Sequence, residues 1–401
     1  MTIIWKPIFP DDPLLGPLSK YVRPISFDEF QLQYQYKSII HQSRKTTVRL
    51  AKHMETNQDV VIKTIYKSKL SEARQVNALI REIKILRELN GNKHTTQLYD
   101  VLDVIDGIYL ILEYAEGGDL LTYIKSRKAL HEFEVKRIFY SIAKIVGFMH
   151  SKGFVHRDLK LENIMLDGNG KVLLGDFGCS RYYHEGELTS SFCGTINYEP
   201  PEILMGKSYD PTKVDSWALG VILYTLFNKK FPFKSKSISN LIQQIKDMQV
   251  ILQNENIPEG AKDLIKKLLC QNPEKRMKVV DIIYHPWLIK NSNDAKGQKK
   301  ERVQHAALNF LQNEYDLSNE NQLVSYNIIK RKYQMGKTKP LSRANQFMKI
   351  PAVSNFTISY SAQQRLPTPE ARARPHLHLI VRPFSAHVTQ NSSLKSESSD
   401  S

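Results

Sequence analysis

The residues best suited to chemistry fall in two short runs. The first is His156-Arg157-Asp158-Leu159-Lys160-Leu161-Glu162-Asn163, and the second is Asp176-Phe177-Gly178. Upstream, Val60-Val61-Ile62-Lys63 ends an apolar run on a lysine; downstream stands Pro200-Pro201-Glu202. Taken singly, Asp and Asn favour turns, and a lysine closing a strand is ordinarily solvated. An acid, a lysine and a carboxamide packed into one octapeptide, with a second acid shortly after, exceed what turn formation asks for. Such groups can accept a proton, bind a cation and neutralise an anion.

The surrounding pattern says which elements hold them. Three β-rich runs, YQYKSII, TTVRLAK and DVVIKTIY, lie between Tyr34 and Tyr66, and the last carries Lys63. The turn before it contains Asn57, a residue that tolerates positive φ. From Ser71 to Leu89, Val76, Leu79, Ile80, Ile83, Leu86 and Leu89 recur on one face, predicting a helix that also bears Glu82. Strands are expected near 98–103 and 108–114, before Glu116-Gly117-Gly118-Asp119 breaks the pattern. A long helix follows, marked by Val135, Ile138, Phe139, Ile142, Val146 and Met149 and stopped by Gly153. Short strands are expected within 154–174, and helices over about 213–228, 237–247, 260–270 and 278–289. Residues 1–33, proline-containing and aperiodic, read as an extended lead-in. The expectation is an α+β chain: a small β-rich lobe with one helix (34–114), a larger helical lobe (119–289), and a crevice between them as the ligand site.

The four motifs, in this order, resemble the eukaryotic protein kinases over residues 34–289. The resemblance implies a bilobal kinase fold and serine/threonine phosphotransfer from ATP with Mg2+. Phosphoryl transfer needs mainly positioning and charge neutralisation. By resemblance, Lys63 contacts the α and β phosphates, held by an ion pair with Glu82. Asn163 and Asp176 bind magnesium, which takes hard oxygen ligands. Asp158 accepts the substrate hydroxyl proton, Lys160 lies near the γ-phosphate, and Thr195 braces both. Val48, Val61 and Met165 enclose the adenine, with Leu112 behind it. Glu113 and Ala115 offer backbone groups to its edge, and Asp119 a carboxylate to the ribose. Glu162 and Asp119 match acids that similar kinases turn towards substrate arginines, implying a basophilic enzyme. Leu86, Leu98, His156 and Phe177 match the stack of active kinases, while Glu202 with Arg276, and Asp215 with Trp217, match structural anchors. Tyr209-Asp210-Pro211 and the PWL ending at Leu288 are similar to the calcium/calmodulin-dependent group. Ser191-Phe192-Cys193-Gly194-Thr195 is most similar to the testis-specific serine/threonine kinases, making Ser191 the expected regulatory phosphosite for an upstream kinase.

Departures from the pattern are also plain. Where the family has G-x-G-x-x-G-x-V, this chain has His41-Gln42-Ser43-Arg44-Lys45-Thr46-Thr47-Val48, without a glycine. Glycine lets backbone amides approach phosphates, so nucleotide binding is expected to be weaker. Ser43, Thr46 and Arg44 or Lys45 are candidates for side-chain contacts instead. The alternative reading is a pseudokinase scaffold with weak nucleotide binding. Ile196 and Pro201 also depart from the family, in the segment that shapes the peptide groove.

Composition bounds the rest. The 401 residues are 41% hydrophobic and 24% charged, which excludes a wholly disordered or fibrous chain. No apolar run is long enough for a membrane span, and the start lacks a signal-peptide pattern, so a cytoplasmic or nuclear, reduced setting is expected. The three cysteines read as free thiols, with Cys179 and Cys193 small and buried. Of the net +16, half lies beyond residue 290, where 16 Lys and Arg face 8 Asp and Glu. Residues 290–401 therefore read as a basic, largely disordered tail. Its cations are dispersed among Ser, Gln and Pro rather than interleaved with aromatics, which disfavours nucleic acid. Residues 323–335 (LVSYNIIKRKYQM) form a candidate autoinhibitory or calmodulin-binding helix.

Overall fold

Alternating apolar residues build the first layer. The computed structural model describes residues 8, 11–248 and 257–289. Strands β2 (Tyr34–Gln42), β3 (Thr46–His53), β4 (Asp59–Tyr66), β5 (Leu98–Asp103) and β6 (Gly107–Glu113) pair antiparallel, in the order β5-β6-β4-β3-β2. Register sets the site: Val48 lies opposite Lys63, and Val61 opposite Leu112. Asn57 takes φ 61° in the β3–β4 turn, as its side chain allows. Helix α2 (Ala73–Leu89) packs against this sheet through Val76, Leu79, Ile83, Leu86 and Leu89, burying Glu82 among them.

The larger lobe is built on α4 (Glu132–Ser151) and α6 (Pro211–Asn228). Helix α6 is buried from Pro211 to Leu226, which accounts for its weak amphipathicity: a helix surrounded by protein is apolar on all sides. Between them run β7 (Phe154–Val155), β8 (Ile164–Leu166), β9 (Val172–Leu174) and β10 (Arg181–Tyr182). Strands β8 and β9 form the hairpin that separates the two polar motifs. Among the described residues, no helix is long and apolar enough to cross a membrane.

Four features differ from the sequence reading. Residues 1–33 are not simply extended: within the described part, a 3-10 turn (Gly16–Tyr21), strand β1 (Arg23–Pro24) and helix α1 (Phe27–Gln33) fold onto the small lobe. The cause is local chemistry. Ser26 and Glu29 form a reciprocal capping box, and Phe30 buries itself against Tyr34 and Tyr109. Second, Asp119 opens a helix, α3 (Leu120–Ser126), that its glycine-rich approach conceals. Third, the single helix expected over 278–289 is two short ones, Val279–Ile282 and Pro286–Ile289, because Pro286 cannot continue the first. Fourth, Cys179 and Cys193 are bridged, with Cα atoms 6.0 Å apart, rather than free thiols; Cys270 alone is unbridged. The chain reversal between them brings together cysteines that look scattered in sequence. The tail from residue 290 on, with its candidate calmodulin-binding stretch, lies outside the described residues.

Candidate active site

Two clusters form the site. In the first, Lys63 on β4 donates to Glu82 Oε1 at 2.7 Å and to Asp176 Oδ1 at 2.9 Å. Burial works against the lysine charge, but the two carboxylates outweigh it and hold its pKa above the ordinary value. The Lys63 ammonium in turn holds Asp176 at about 2, so this acid is ionised at neutral pH. Asp176 takes φ 55°, a conformation costly for a residue with a Cβ.

In the second cluster, Lys160 donates to Asp158 Oδ2 at 2.8 Å and to Thr195 Oγ1 at 3.3 Å. The Thr195 hydroxyl donates to Asp158 Oδ1 at 2.9 Å, and Asn163 Nδ2 to the Asp158 carbonyl at 2.9 Å. Asp158 is therefore oriented from three sides. The loop that carries it is pinned from below: fully buried Asp215 accepts from the amides of His156 and Arg157 at 2.9 and 2.8 Å. Its carboxyl stays below the usual range, since the bond and charge of His150 outweigh burial. His156 Nε2 meets the Gly175 carbonyl at 3.1 Å and must donate there. Nδ1 is then free to accept from the Asp158 amide at 3.3 Å.

The donor set fits magnesium. Asp176 offers a carboxylate, and Asn163 spends its nitrogen on Asp158, leaving the oxygen as the donor. Both are hard ligands, and a cation that shares substrate phosphates needs no larger protein cage.

The remaining predicted residues divide. Val48, Val61, Leu112 and Met165 are each half-buried, directly after the buried Thr47, Val60, Ile111 and Ile164, as lining of an open crevice should be. Ala115 is buried and Glu113 half-buried on the segment joining the lobes. Asp119 also caps α3, accepting from the Thr122 amide and hydroxyl, both at 2.8 Å. Glu162 is exposed beside Tyr198, whose hydroxyl approaches at 3.4 Å. His156 and Phe177 pack ring to ring at 5.4 Å, and Glu202 and Arg276 form a buried two-bond ion pair.

The glycine-free tip of the β2–β3 hairpin is closed on itself. Ser43 Oγ accepts from the amides of Lys45 and Thr46 at 3.2 and 3.1 Å, and the Ser43 amide donates to the Thr46 carbonyl at 2.9 Å. The Ser43 and Thr46 hydroxyls are themselves 3.0 Å apart. The amides that a glycine-rich loop would turn to phosphate are thus spent within the turn. His41, opposite Val48, and Ser43 are exposed.

The pairing of Arg157 with Ser191 is the one the sequence reading expects of a phosphate clamp; the two further arginines beside it, and buried Glu199, are what it missed. Arg157 donates to Ser191 Oγ at 2.8 Å, Arg181 to Thr189 Oγ1 at 3.0 Å, and Arg81 to the Ser180 carbonyl at 2.9 Å. Burial and then the charges of Arg157 and Arg181 depress the Arg81 pKa, a sign that the three cations crowd one place. No motif marks Arg81 or Arg181. Glu199 is 3% exposed with Oε2 unpartnered; desolvation, and then Asp158, push its pKa up to about 8. Gly194, at φ 136°, leaves the room for it: a Cβ there would meet Glu199 Oε1 at 2.0 Å.

Residues 34–288 match the protein kinase domain family. The chain belongs to this family. It is 37% identical over 256 residues to NUAK family SNF1-like kinase 1 of Homo sapiens, covering 64% of this chain and 38% of that protein. It is 38% identical over 240 residues to the SNF1-related protein kinase catalytic subunit alpha KIN12 of Arabidopsis thaliana, covering 60% and 48%. With the carbon catabolite-derepressing protein kinase of Secale cereale it shares 36% over 242 residues, again 60% and 48%. The matched part thus spans less than half the length of these relatives. Protein kinases as a family use ATP and magnesium; the oxygen donors described above suit the metal, and the Lys63 ammonium suits the phosphates.

Proposed function

We propose that this protein is a serine/threonine kinase, transferring the ATP γ-phosphate to hydroxyls of protein substrates. The observation that carries the reading is the complete polar constellation: Lys63 bonded to both Glu82 and Asp176, and Asp158 bonded to both Lys160 and Thr195. In this reading the acceptor hydroxyl gives its proton to Asp158 as its oxygen attacks the γ-phosphorus and the bond to the β-phosphate oxygen breaks. Lys63 neutralises the non-transferred phosphates, and Lys160 meets charge on the γ-phosphoryl. Asp176 and Asn163 would hold magnesium, which would supply positive charge to the phosphate oxygens. A pseudokinase reading has only the closed hairpin tip in its favour, and that affects affinity rather than chemistry. Labelled phosphate transfer to a serine peptide tests the reading: transfer by the wild type and none by Asp158→Asn supports it, and equal labelling by both refutes it.

Finer assignments rest on particular residues. A basophilic preference is supported by exposed Glu162, with Asp119 at the lobe junction as the second acid; a peptide array without upstream arginine selection would refute it. Activation by phosphate on Ser191, placed there by an upstream kinase, is supported by the adjacent arginines. A phosphate adds about two negative charges and pairs readily with guanidinium groups. Within the family, Tyr209-Asp210-Pro211 supports the calcium/calmodulin-dependent group. The likeness to testis-specific kinases rests on Ser191–Thr195 alone, whereas the relatives' names favour the SNF1-like branch. The same reading assigns the enzyme to the cytoplasm, with the nucleus as the second compartment.

A further inference from the structure

The segment before the sheet does more than fill space. Asp12 accepts from the amides of Leu14 and Leu15, starting a turn that Pro17 continues. The turn drives Leu18 into the core cluster shared with Leu79 and Ile83 of α2, where Leu18 is 0% exposed. Next, the Tyr21 carbonyl accepts from Arg87 at 2.8 Å, while Lys84 and Arg87 lie over its ring at 5.6 and 5.9 Å. Strand β1 then pairs parallel with β5, Arg23 opposite Leu102, which ties the segment to the sheet.

These contacts fall on one side of α2. At 100° per residue, Leu79 and Ile83 lie roughly 60–100° and Lys84 and Arg87 roughly 140–200° around the helix from Glu82, while Arg81 and Glu88 lie roughly 100–120° the other way. Glu82 on the inner side binds Lys63, and Arg81 and Glu88 bind Ser180 and Tyr182 beyond the second polar motif. Helix α2 is therefore held along one flank by residues 12–24 and along the other by the groups that Glu82, Arg81 and Glu88 meet. An ion pair such as Lys63–Glu82 is only as well placed as the helix that carries it, and preorganised geometry is where phosphoryl transfer gains its rate.

We propose that residues 12–24, with Leu18 as the wedge, are a built-in brace that positions Glu82 for phosphotransfer, making Leu18 a positioning residue. The inference rests on the kinase reading, and the test separates the two. In the full chain, Leu18→Ala is expected to lower kcat about tenfold, the scale of coupling through packed contacts, with the peptide KM unchanged, and Leu18→Met to restore it. In a Glu82→Gln background, Leu18→Ala should cost nothing further. Hydrogen exchange should quicken across Ala73–Leu89 and not in α6. If Leu18→Ala fails to fold, Tyr21→Ala at its half-buried site gives a loss of about threefold, the scale of its cation contacts. Equal fractional losses in both backgrounds, or unchanged kcat with a lowered Tm, would overturn the brace. A wild type without phosphotransfer refutes the kinase reading instead; unchanged exchange in α2 of Leu18→Ala then overturns the brace on its own.

Discussion

Two polar turns of this protein face the same crevice and are built on opposite plans. In the catalytic loop, Asp158, Lys160 and Asn163 converge with Thr195, and the backbone is forced: Arg157 and Asp176 have φ 65° and 55°. Such conformations cost of order 1–3 kcal/mol each and persist because Asp215 and the Gly175–His156 bond hold them. At the hairpin tip, by contrast, none of residues 42–46 has positive φ, and the hydroxyls and amides satisfy one another. Strain and convergence mark where chemistry is organised; local closure marks a turn that has withdrawn its amides from a ligand. The contrast teaches that a lost motif can lower affinity while the chemical step is kept.

The catalytic half of the contrast breaks with the largest effect. Lys63→Met and Asp176→Asn are each expected to reduce turnover by about 10²–10⁴-fold or more, the range for directly acting groups. Tm should change little for Asp176→Asn, whose side chain is half exposed, and fall for Lys63→Met, which leaves the buried Glu82 carboxylate unpaired. Steady-state kinetics with parallel thermal melting decides this, and wild-type turnover in either variant refutes the assignment.

Next in size is Gly194→Ala. The positive φ and the 2.0 Å approach to Glu199 Oε1 leave no room for a methyl group. A loss of about 1–3 kcal/mol is expected, together with lost activity because Thr195 follows directly. Denaturant unfolding reads the first and turnover the second; unchanged values in both contradict the packing described.

The hairpin half yields a smaller effect. Ser43→Gly with Thr46→Gly frees the tip amides, and KM for ATP should fall about fivefold, the equivalent of one hydrogen bond, with kcat unchanged. A raised KM would show that the Ser43 and Thr46 hydroxyls already serve the phosphates.

The last effect, read in melting temperature, concerns Glu199. Its folded pKa, about 8, lies above the ordinary 4.5, so the folded state holds the extra proton. The stability tied to this group is present below about pH 4.5 and drains away as pH rises towards 8. Glu199→Gln should therefore melt near the wild type at pH 5 and about 10 °C above it at pH 8, at about 1.4 kcal/mol per pKa unit and about 2–4 °C per kcal/mol. A difference that does not grow with pH rejects the buried neutral acid.

Much of this was legible in the sequence because it is local. Period-2 and period-3.6 patterns announce β2 to β6, α2 and α4, and motif spacing names Lys63, Asp158, Asn163 and Asp176. Features made by chain reversal were not. Arg81 and Arg181 look like solvated cations until the fold carries them to Arg157, and Cys179 and Cys193 look separate until the same segment turns back. The folded stretch at 16–33 was hidden by its prolines. Its signal was present in Ser26-x-x-Glu29, a capping box ahead of an apolar residue. Asp119 shows how one residue can carry two signals, since a motif position suggested a ligand contact while the helix-capping role of the same carboxylate went unread.

Separate determination of kcat and KM for ATP on the wild-type chain bears most directly on the contrast between the two turns. An intact catalytic loop beside a closed hairpin tip predicts kcat within the ordinary kinase range of about 1–100 s⁻¹. The accompanying KM for ATP should lie towards the top of the usual span of about 1 μM to 1 mM. Tight ATP binding with no measurable turnover would contradict the account, because it would place the defect in the loop described here as complete and the strength in the one described as withdrawn.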